Sequence, residues 1–331
     1  MVTRYGRLSA STFTAPFWAK NPHVQTIWPK FFAPSPNIQI IPERVATPDG
    51  DFVDLAWYLP KQPKAIALVF HGLEGSINSH YVRQLFAYLY QHNIGAVLMH
   101  FRGCSGEMNL THRAYHSGDT GDAGYIIKRI KQRYPTRSLF CVGYSLGGNV
   151  LLKLLAEQHN ENQAYVNAAI AVSAPIDLHA SAEAINFGFS KYYQAHLLRS
   201  MKANILNKIK HIDMTRFIDV SAKDIATFSS FREFDEHITA KLHGFKGADD
   251  YYTQCSAITT LRDINTPTLI LHARDDPFMD ARVIPQAEEL SPSVAYEISE
   301  FGGHVGFIQG NPVKPNLWLP NRITKFISEH L

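Results

Sequence analysis

Long apolar runs, blocks of like charge and paired cysteines are all scarce in this sequence of 331 residues. Its three cysteines, Cys104, Cys141 and Cys255, are far apart and odd in number, which excludes a disulfide framework and favours a reducing compartment. No apolar run approaches the ~20 residues needed to span a bilayer. Met1 to Pro16 carries Thr, Ser and charges where a secretory signal needs an apolar core. The expectation is a soluble, cytoplasmic protein with no stable membrane insertion. The net charge is only +3 and no long run of like charges occurs, so nucleic acid is not expected as a partner. The basic cluster from Lys128 to Arg133 reads as the solvated face of a helix. With 45% hydrophobic and 18% charged residues, the chain has the composition of a well-packed globule.

The order of elements follows from hydrophobic period. The first forty residues read poorly as regular structure, and Asn21 to Pro29, with two prolines, is expected to be a loop wrapping the body. Ile38 to Ile41 is a candidate edge strand. Pro48-Asp49-Gly50 signals a turn, and Val53, Leu55, Trp57 and Leu59 then alternate as a half-buried strand, so an antiparallel hairpin opens the fold. The runs 65–70, 96–99, 139–142, 168–172 and 269–271 are unbroken apolar, as in strands covered on both faces. Helical stretches such as Tyr81 to Gln91 and Tyr125 to Tyr134 lie between them. This alternation predicts an α/β fold with a mostly parallel central sheet and helices on both faces. Val294, Tyr296 and Ile298 suit a far edge strand, and Asn316 to Leu331 a closing helix.

One interval breaks the rhythm. Residues 175–256 lack strand signals, and a structureless loop of that length is implausible in a compact domain. A helical cap inserted after the sixth strand accounts for it, leaving residues 1–174 and 257–331 as the core. The cap's aromatics (Phe187, Phe189, Tyr192, Tyr193, Phe228, Phe231, Phe234, Phe245) serve either as its own core or as the roof of a cavity beneath.

The chemistry centres on Gly143-Tyr144-Ser145-Leu146-Gly147, a Gly-x-Ser-x-Gly between an apolar strand and a helix. That context defines a nucleophile elbow: a tight turn lifts the Ser145 hydroxyl clear and points new helix amides at whatever it attacks. A hydroxyl is a weak nucleophile at neutral pH, so it needs a base, and the base needs an orienting acid. In this topology the order is Ser, acid, His. His304, flanked by glycine in Gly302-Gly303-His304-Val305-Gly306, follows the last strand and is the candidate base. The acid lies in His272-Ala273-Arg274-Asp275-Asp276-Pro277. Ala273 occupies the place of the glycine in the usual Gly-x-x-Asp turn, so counting on selects Asp276, with Asp275 as a helper that holds the loop or faces solvent. The tetrahedral intermediate needs two donors, expected from the amides of Leu146 and Leu73, with His71 fixing the second loop by hydrogen bonds. Tyr115 to Asp122 could be imagined as a metal site, but it precedes a helix, where Asp and Ser cap free amides. Phe101 to Gly106 lacks the spacing of a nucleotide cradle, and Cys104 is read as structural. No metal or organic cofactor is expected.

Taken together, Asn21-Pro22-His23-Val24-Gln25-Thr26, His71-Gly72-Leu73-Glu74-Gly75, His100-Phe101-Arg102-Gly103-Cys104-Ser105-Gly106, Gly143 to Asn149 and Gly302 to Phe307 resemble the YheT-type α/β-hydrolases. The end of the cap, Phe234-Asp235 through Tyr251-Tyr252, fits too. The resemblance spans nearly the whole chain. It implies an α/β-hydrolase fold and a serine carboxylesterase for small-molecule esters of short to medium acyl chain, with some relatives linked to lipid or acylglycerol substrates. It carries the nucleophile to Ser145, the acid to Asp276 and the base to His304. Lipase, thioesterase and amidase share this machinery, and a hydrolase fold kept only for binding is the reading from another class.

Overall fold

The computed structural model describes residues 6–33, 35–158 and 165–331; Met1–Tyr5 of the amino-terminal stretch lie outside the described residues. Nine strands form one sheet: β1 (Arg7–Ala10), β2 (Ile41–Ala46), β3 (Phe52–Tyr58), β4 (Ala65–Phe70), β5 (Ile94–Met99), β6 (Ser138–Tyr144), β7 (Ala168–Val172), β8 (Thr268–Ala273) and β9 (Val294–Ser299). Their order across the sheet is β1-β9-β8-β7-β6-β4-β5-β3-β2. Only β2 and β3 run antiparallel to their neighbours; the rest of the sheet is parallel.

The unbroken apolar strands are central because both of their faces are covered. In β4, Ile66, Leu68 and Phe70 point into one core, shared with α3 (Gly121–Arg133) and α4 (Leu146–Gln158). The alternate residues Ala65, Ala67 and Val69 point into the opposite core, shared with α2 (His80–Gln91) and α11 (Trp318–Glu329). Every residue of β4 is buried, as the pleat of a strand between two helical layers requires.

Three sequence expectations are corrected at the edges. The opening segment is structured: β1 pairs with β9 in parallel, so β9 is an interior strand and β1 the true edge. Seven strands therefore precede the helical interval. The hairpin strand begins at Ile41, later than expected, and forms the other edge. Asn21 to Pro29 is no loop but most of helix α1 (Pro22–Phe32). Asn21 caps it by accepting from the amides of His23 and Val24, and Pro22 occupies the first turn, where no partner for an N–H is missed. Pro29, the second of the two prolines, lies inside the helix.

Between β7 and β8 the chain is helical: α5 (Leu178–Ala184), α6 (Ser190–Ile209), α7 (Ala222–Thr227), α8 (Phe231–Phe234), a π-helical turn (Asp235–Thr239), α9 (Ala240–His243) and α10 (Ala248–Cys255). This interval has a core of its own around Leu198, Ile205, Ile225, Phe228, Phe234 and Ile238. Phe231 packs against it, and Phe245 joins a smaller cluster with Tyr251 and Tyr252. Phe187, Phe189 and Tyr192 are exposed. Among the described residues no helix is long and apolar enough to cross a membrane.

Candidate active site

The carboxyl ends of β4, β6, β8 and β9 converge, and each carries one part of the site, as open α/β sheets favour. At the end of β6 the chain reverses into α4 within one residue. Ser145 sits at the corner with φ of +52°, a strained value for a residue with a side chain. The turn closes only because its flanks lack side chains. A Cβ on Gly147 would stand 2.5 Å from the carbonyl oxygen of His71, and one on Gly143 would stand 2.4 Å from that of Gly147.

The structure brings the distant partners together. His304 Nε2 lies 3.0 Å from Ser145 Oγ. Its Nδ1 lies 2.8 Å from Asp276 Oδ2 and 3.1 Å from Oδ1. A carboxylate facing Nδ1 keeps the ring proton there, so Nε2 is the free lone pair and the serine hydroxyl donates to it. The Asp276 side chain is 1% exposed and that of His304 10%. Asp276 Oδ1 also accepts from the amide of Phe278 at 2.9 Å, and the Phe278 ring lies flat on the imidazole, with centroids 3.9 Å apart. Phe278 thus braces both Asp276 and His304.

Asp275 turns the other way. Its Oδ1 accepts from the amide of Gly303 at 2.9 Å, holding the loop of the base. Its Oδ2 is buried with no partner, and burial pushes its pKa up to about 6. The two adjacent carboxylates thus face different partners, Asp276 the imidazole of His304 and Asp275 the amide of Gly303.

The loop after β4 is fixed by His71. The amide of Phe101 donates to His71 Nε2 at 3.0 Å, so Nδ1 carries the proton and donates to the carbonyl of Gly72 at 2.7 Å. Burial lowers the pKa of this imidazole to about 3, keeping it neutral. In a trans peptide the carbonyl of Gly72 and the N–H of Leu73 point in opposite directions. Pinning the one aims the other away from His71. Tyr81 Oη accepts the amide of Gly72 at 3.0 Å from the other side. Neither Leu73 nor Leu146 donates its amide to another described residue, and Gly72 is so close to the elbow that a Cβ there would touch that of Ser145 at 3.1 Å.

Several side chains that hold the candidate site and its surroundings carry no signal of their own that singles them out in the sequence. Helix α1 braces the loop of the base. Thr26 Oγ1 accepts from the amide of His304 at 2.9 Å. Gln25, fully buried, donates to the carbonyls of Ala19 and Ile308 and accepts from the amide of Ile308. The Asn-Pro pair ahead of this run was the missed signal, because it is a helix start as much as a loop mark. Arg102 was another. Its guanidinium forks onto Asp122 with two contacts of 2.7 Å and reaches Asp49 and Asp51, joining the β2–β3 turn to α3. Asp122 is thus an ion-pair partner and not a cap, and Thr120 at the start of α3 makes no capping bond, which corrects that expectation. Burial pushes the Cys104 thiol upward in pKa, away from the reactive thiolate.

Two cavities lie under or beside the helical interval. One of about 200 Å³ runs from Leu73 and Tyr115 to Met201, Ile205, Phe234 and Ile238. The other, of about 510 Å³ and more open, is lined by Pro22, His23, Phe187, Phe189 and Pro277. Lys208 of α6 reaches the loop between β5 and α3, donating to Asn109 Oδ1 and to the carbonyls of Thr111 and Arg113.

A serine on a strand-to-helix elbow above a mostly parallel sheet, with acid and histidine on later loops, is the architecture of α/β-hydrolases. Comparison agrees: the family profile described as alpha/beta hydrolase fold matches residues 68–311. YheT of Escherichia coli (strain K12), named as a candidate esterase, is 44% identical over 314 residues, covering 94% of this chain and 91% of the relative. Phospholipase ABHD3 of Homo sapiens is 26% identical, covering 96% and 78%. The solved Pyrococcus furiosus esterase Pf2001 superposes with a TM-score of 0.57 at 13% identity, covering 99% and 98%, a likeness of fold. The chain belongs to the α/β-hydrolase family, among its YheT-type members.

Proposed function

We propose that this protein is a serine carboxylesterase for acyl esters of short to medium chain, working through an acyl-enzyme. The observation that carries the reading is the unbroken relay from Ser145 Oγ through His304 to Asp276. Ser145 Oγ attacks the ester carbonyl carbon while His304 Nε2 takes its proton. The oxyanion accepts from the amides of Leu73 and Leu146. The C–O bond to the alcohol then breaks, the alcohol leaving with the proton from Nε2. Water, deprotonated by the same nitrogen, attacks the acyl-enzyme and releases the acid and free Ser145. Asp276 remains ionised, holding the tautomer and stabilising the imidazolium.

The chain-length reading is supported by the cavity of about 200 Å³ lined by Leu73, Met201, Ile205, Phe234, Ile238 and Leu242. Such a space suits a modest acyl chain. We also propose the division into a core of residues 1–174 and 257–331 and a cap of residues 175–256. The separate apolar cluster between β7 and β8 supports it.

Labelling with a fluorophosphonate probe tests the nucleophile. Wild type should label and Ser145→Ala should stay folded without labelling; an unlabelled wild type would favour a binding module. A panel of chromogenic esters of graded length, beside thioester and amide analogues, tests the substrate class, and preference for the amide overturns it.

A further inference from the structure

Acidic residues are missing from two stretches that the fold places side by side. Between Met1 and Pro42 the sequence has Arg4, Arg7, Lys20 and Lys30 but no Asp or Glu. Between Ala184 and Ile212 it has Lys191, Arg199, Lys202, Lys208 and Lys210, again with no acid. With 29 acids in the chain, an even spread would put about four in the first stretch and two or three in the second. Helix α1 and helix α6 meet. His23 bonds Tyr193 Oη at 3.0 Å and packs tilted against Phe189 at 4.6 Å, and Lys30 contacts His196 at 3.3 Å.

The shared face is also aromatic. Phe17 is 88% exposed, Phe31 68%, Phe32 66%, Phe187 72% and Tyr192 69%. Ring contacts form two groups on this face, Trp18 to Trp28 at 5.8 Å with Trp28 to Phe32 at 5.6 Å, and Phe189 to Tyr192 at 5.1 Å. Lys20 and Lys30 lie over Phe301 and Phe31, and neither they nor Lys191 or Arg199 pairs with a described acid. Of the acids at the margin, Glu183 and Asp280 are paired with Arg282 and Glu300 with Arg274, while Asp275 is turned inward onto the amide of Gly303. Exposed aromatics on this scale mark an interaction site. Unpaired cations interleaved with Phe, Tyr and Trp suit a boundary that is apolar within and anionic at its surface.

We propose that the face built by α1, the segment before it and the start of α6 docks reversibly on an anionic lipid surface. The open groove lined by Pro22, His23, Phe187, Phe189 and Pro277, and also by Glu183, Asp275, Asp280 and Arg282, adjoins this face. Docking therefore turns that groove, beside the acid loop, toward the lipid. The proposal goes beyond the esterase reading and does not depend on it.

The test is co-sedimentation of the full chain with vesicles of phosphatidylcholine containing about one-third phosphatidylglycerol, against phosphatidylcholine alone, at low salt and at about 0.5 M salt. Wild type should partition onto the anionic vesicles at least roughly tenfold better than onto the neutral ones, and high salt should release it. Lys20→Gln with Lys30→Gln should weaken binding about tenfold or more, since each cation near such a surface is worth about fivefold. Phe31→Ser with Phe32→Ser should weaken it by on the order of tenfold. Phe187→Ser with Tyr192→Ser tests the same face from the cap. Circular dichroism checks folding, and hydrolysis of a water-soluble ester should be unchanged in all three variants. Equal binding to neutral vesicles, no binding to anionic ones, or variants that bind like wild type would overturn the proposal. So would a wild-type dimer in sedimentation equilibrium that Phe31→Ser with Phe32→Ser splits, since a second copy would then cover the face. Vesicle binding by a wild type that hydrolyses no ester would sink the esterase reading and leave this one standing.

Discussion

The two adjacent carboxylates make opposite predictions, and Asp276→Asn against Asp275→Asn separates them. In Asp276→Asn the side-chain oxygen keeps the amide of Phe278, now made at 2.9 Å. The new NH2 then takes the place of Oδ2 and faces His304 Nδ1 at 2.8 Å. Two donors cannot share that contact, so the ring proton moves to Nε2, and Nε2 can no longer accept from Ser145. Loss of the correct tautomer lowers kcat by about 10⁴-fold in the worked serine-protease case, and a comparable drop is expected here with the fold intact. In Asp275→Asn the oxygen keeps the amide of Gly303, and the NH2 replaces an oxygen that had no partner. The hydrogen bond survives and a buried charge goes. Asp275 is more readily protonated folded than unfolded, with its pKa raised from 3.8 to about 6. The folded state therefore binds more protons between these values, and stability falls as pH rises through that window. At pH 7 and above the full penalty applies; after discounting for partial exposure it is about 1 kcal/mol. Asp275→Asn should then melt at the same temperature as wild type or about 2 °C higher at pH 8. That gain should vanish below about pH 4, with kcat changed less than about threefold. Steady-state hydrolysis of a short chromogenic ester and thermal melts at several pH values read both. If Asp275→Asn loses activity as severely as Asp276→Asn, or destabilises the protein at pH 8, the assignment of acid and brace is wrong.

Thr26→Val removes the acceptor from the His304 amide and should lower kcat several-fold to tenfold, with a stability loss of about 1–3 kcal/mol on a denaturant curve; unchanged kcat would show that α1 does not position the base. Lys208→Met strands Asn109 Oδ1 and takes one donor from the carbonyls of Thr111 and Arg113, which keep Asn109 Nδ2, and should cost about 1–3 kcal/mol in the same measurement. Gly147→Ala would force a Cβ to 2.5 Å from the carbonyl of His71, so it should abolish fluorophosphonate labelling and lower the melting temperature sharply; a fully active alanine variant would contradict the tight elbow.

The sequence by itself determined the features that local chemistry controls. Unbroken apolar runs require strands covered on both faces, their alternation with helical segments requires a mostly parallel sheet, and Gly143-Tyr144-Ser145-Leu146-Gly147 between strand and helix requires an elbow. Counting on from Ala273 selects Asp276 in the sequence, but only tertiary structure decided the direction of each carboxylate, because Asp275 and Asp276 are adjacent and each is held by a different amide, that of Gly303 or of Phe278. It also decided the fate of Asn21 to Thr26. A start signal and a break signal share the same proline there, and what settles the matter is burial of Gln25 against Ile308 and the reach of Thr26 to a histidine amide 278 residues away. Contacts that distant leave no periodic trace in a chain, since each partner is chosen by packing and not by its neighbours in sequence.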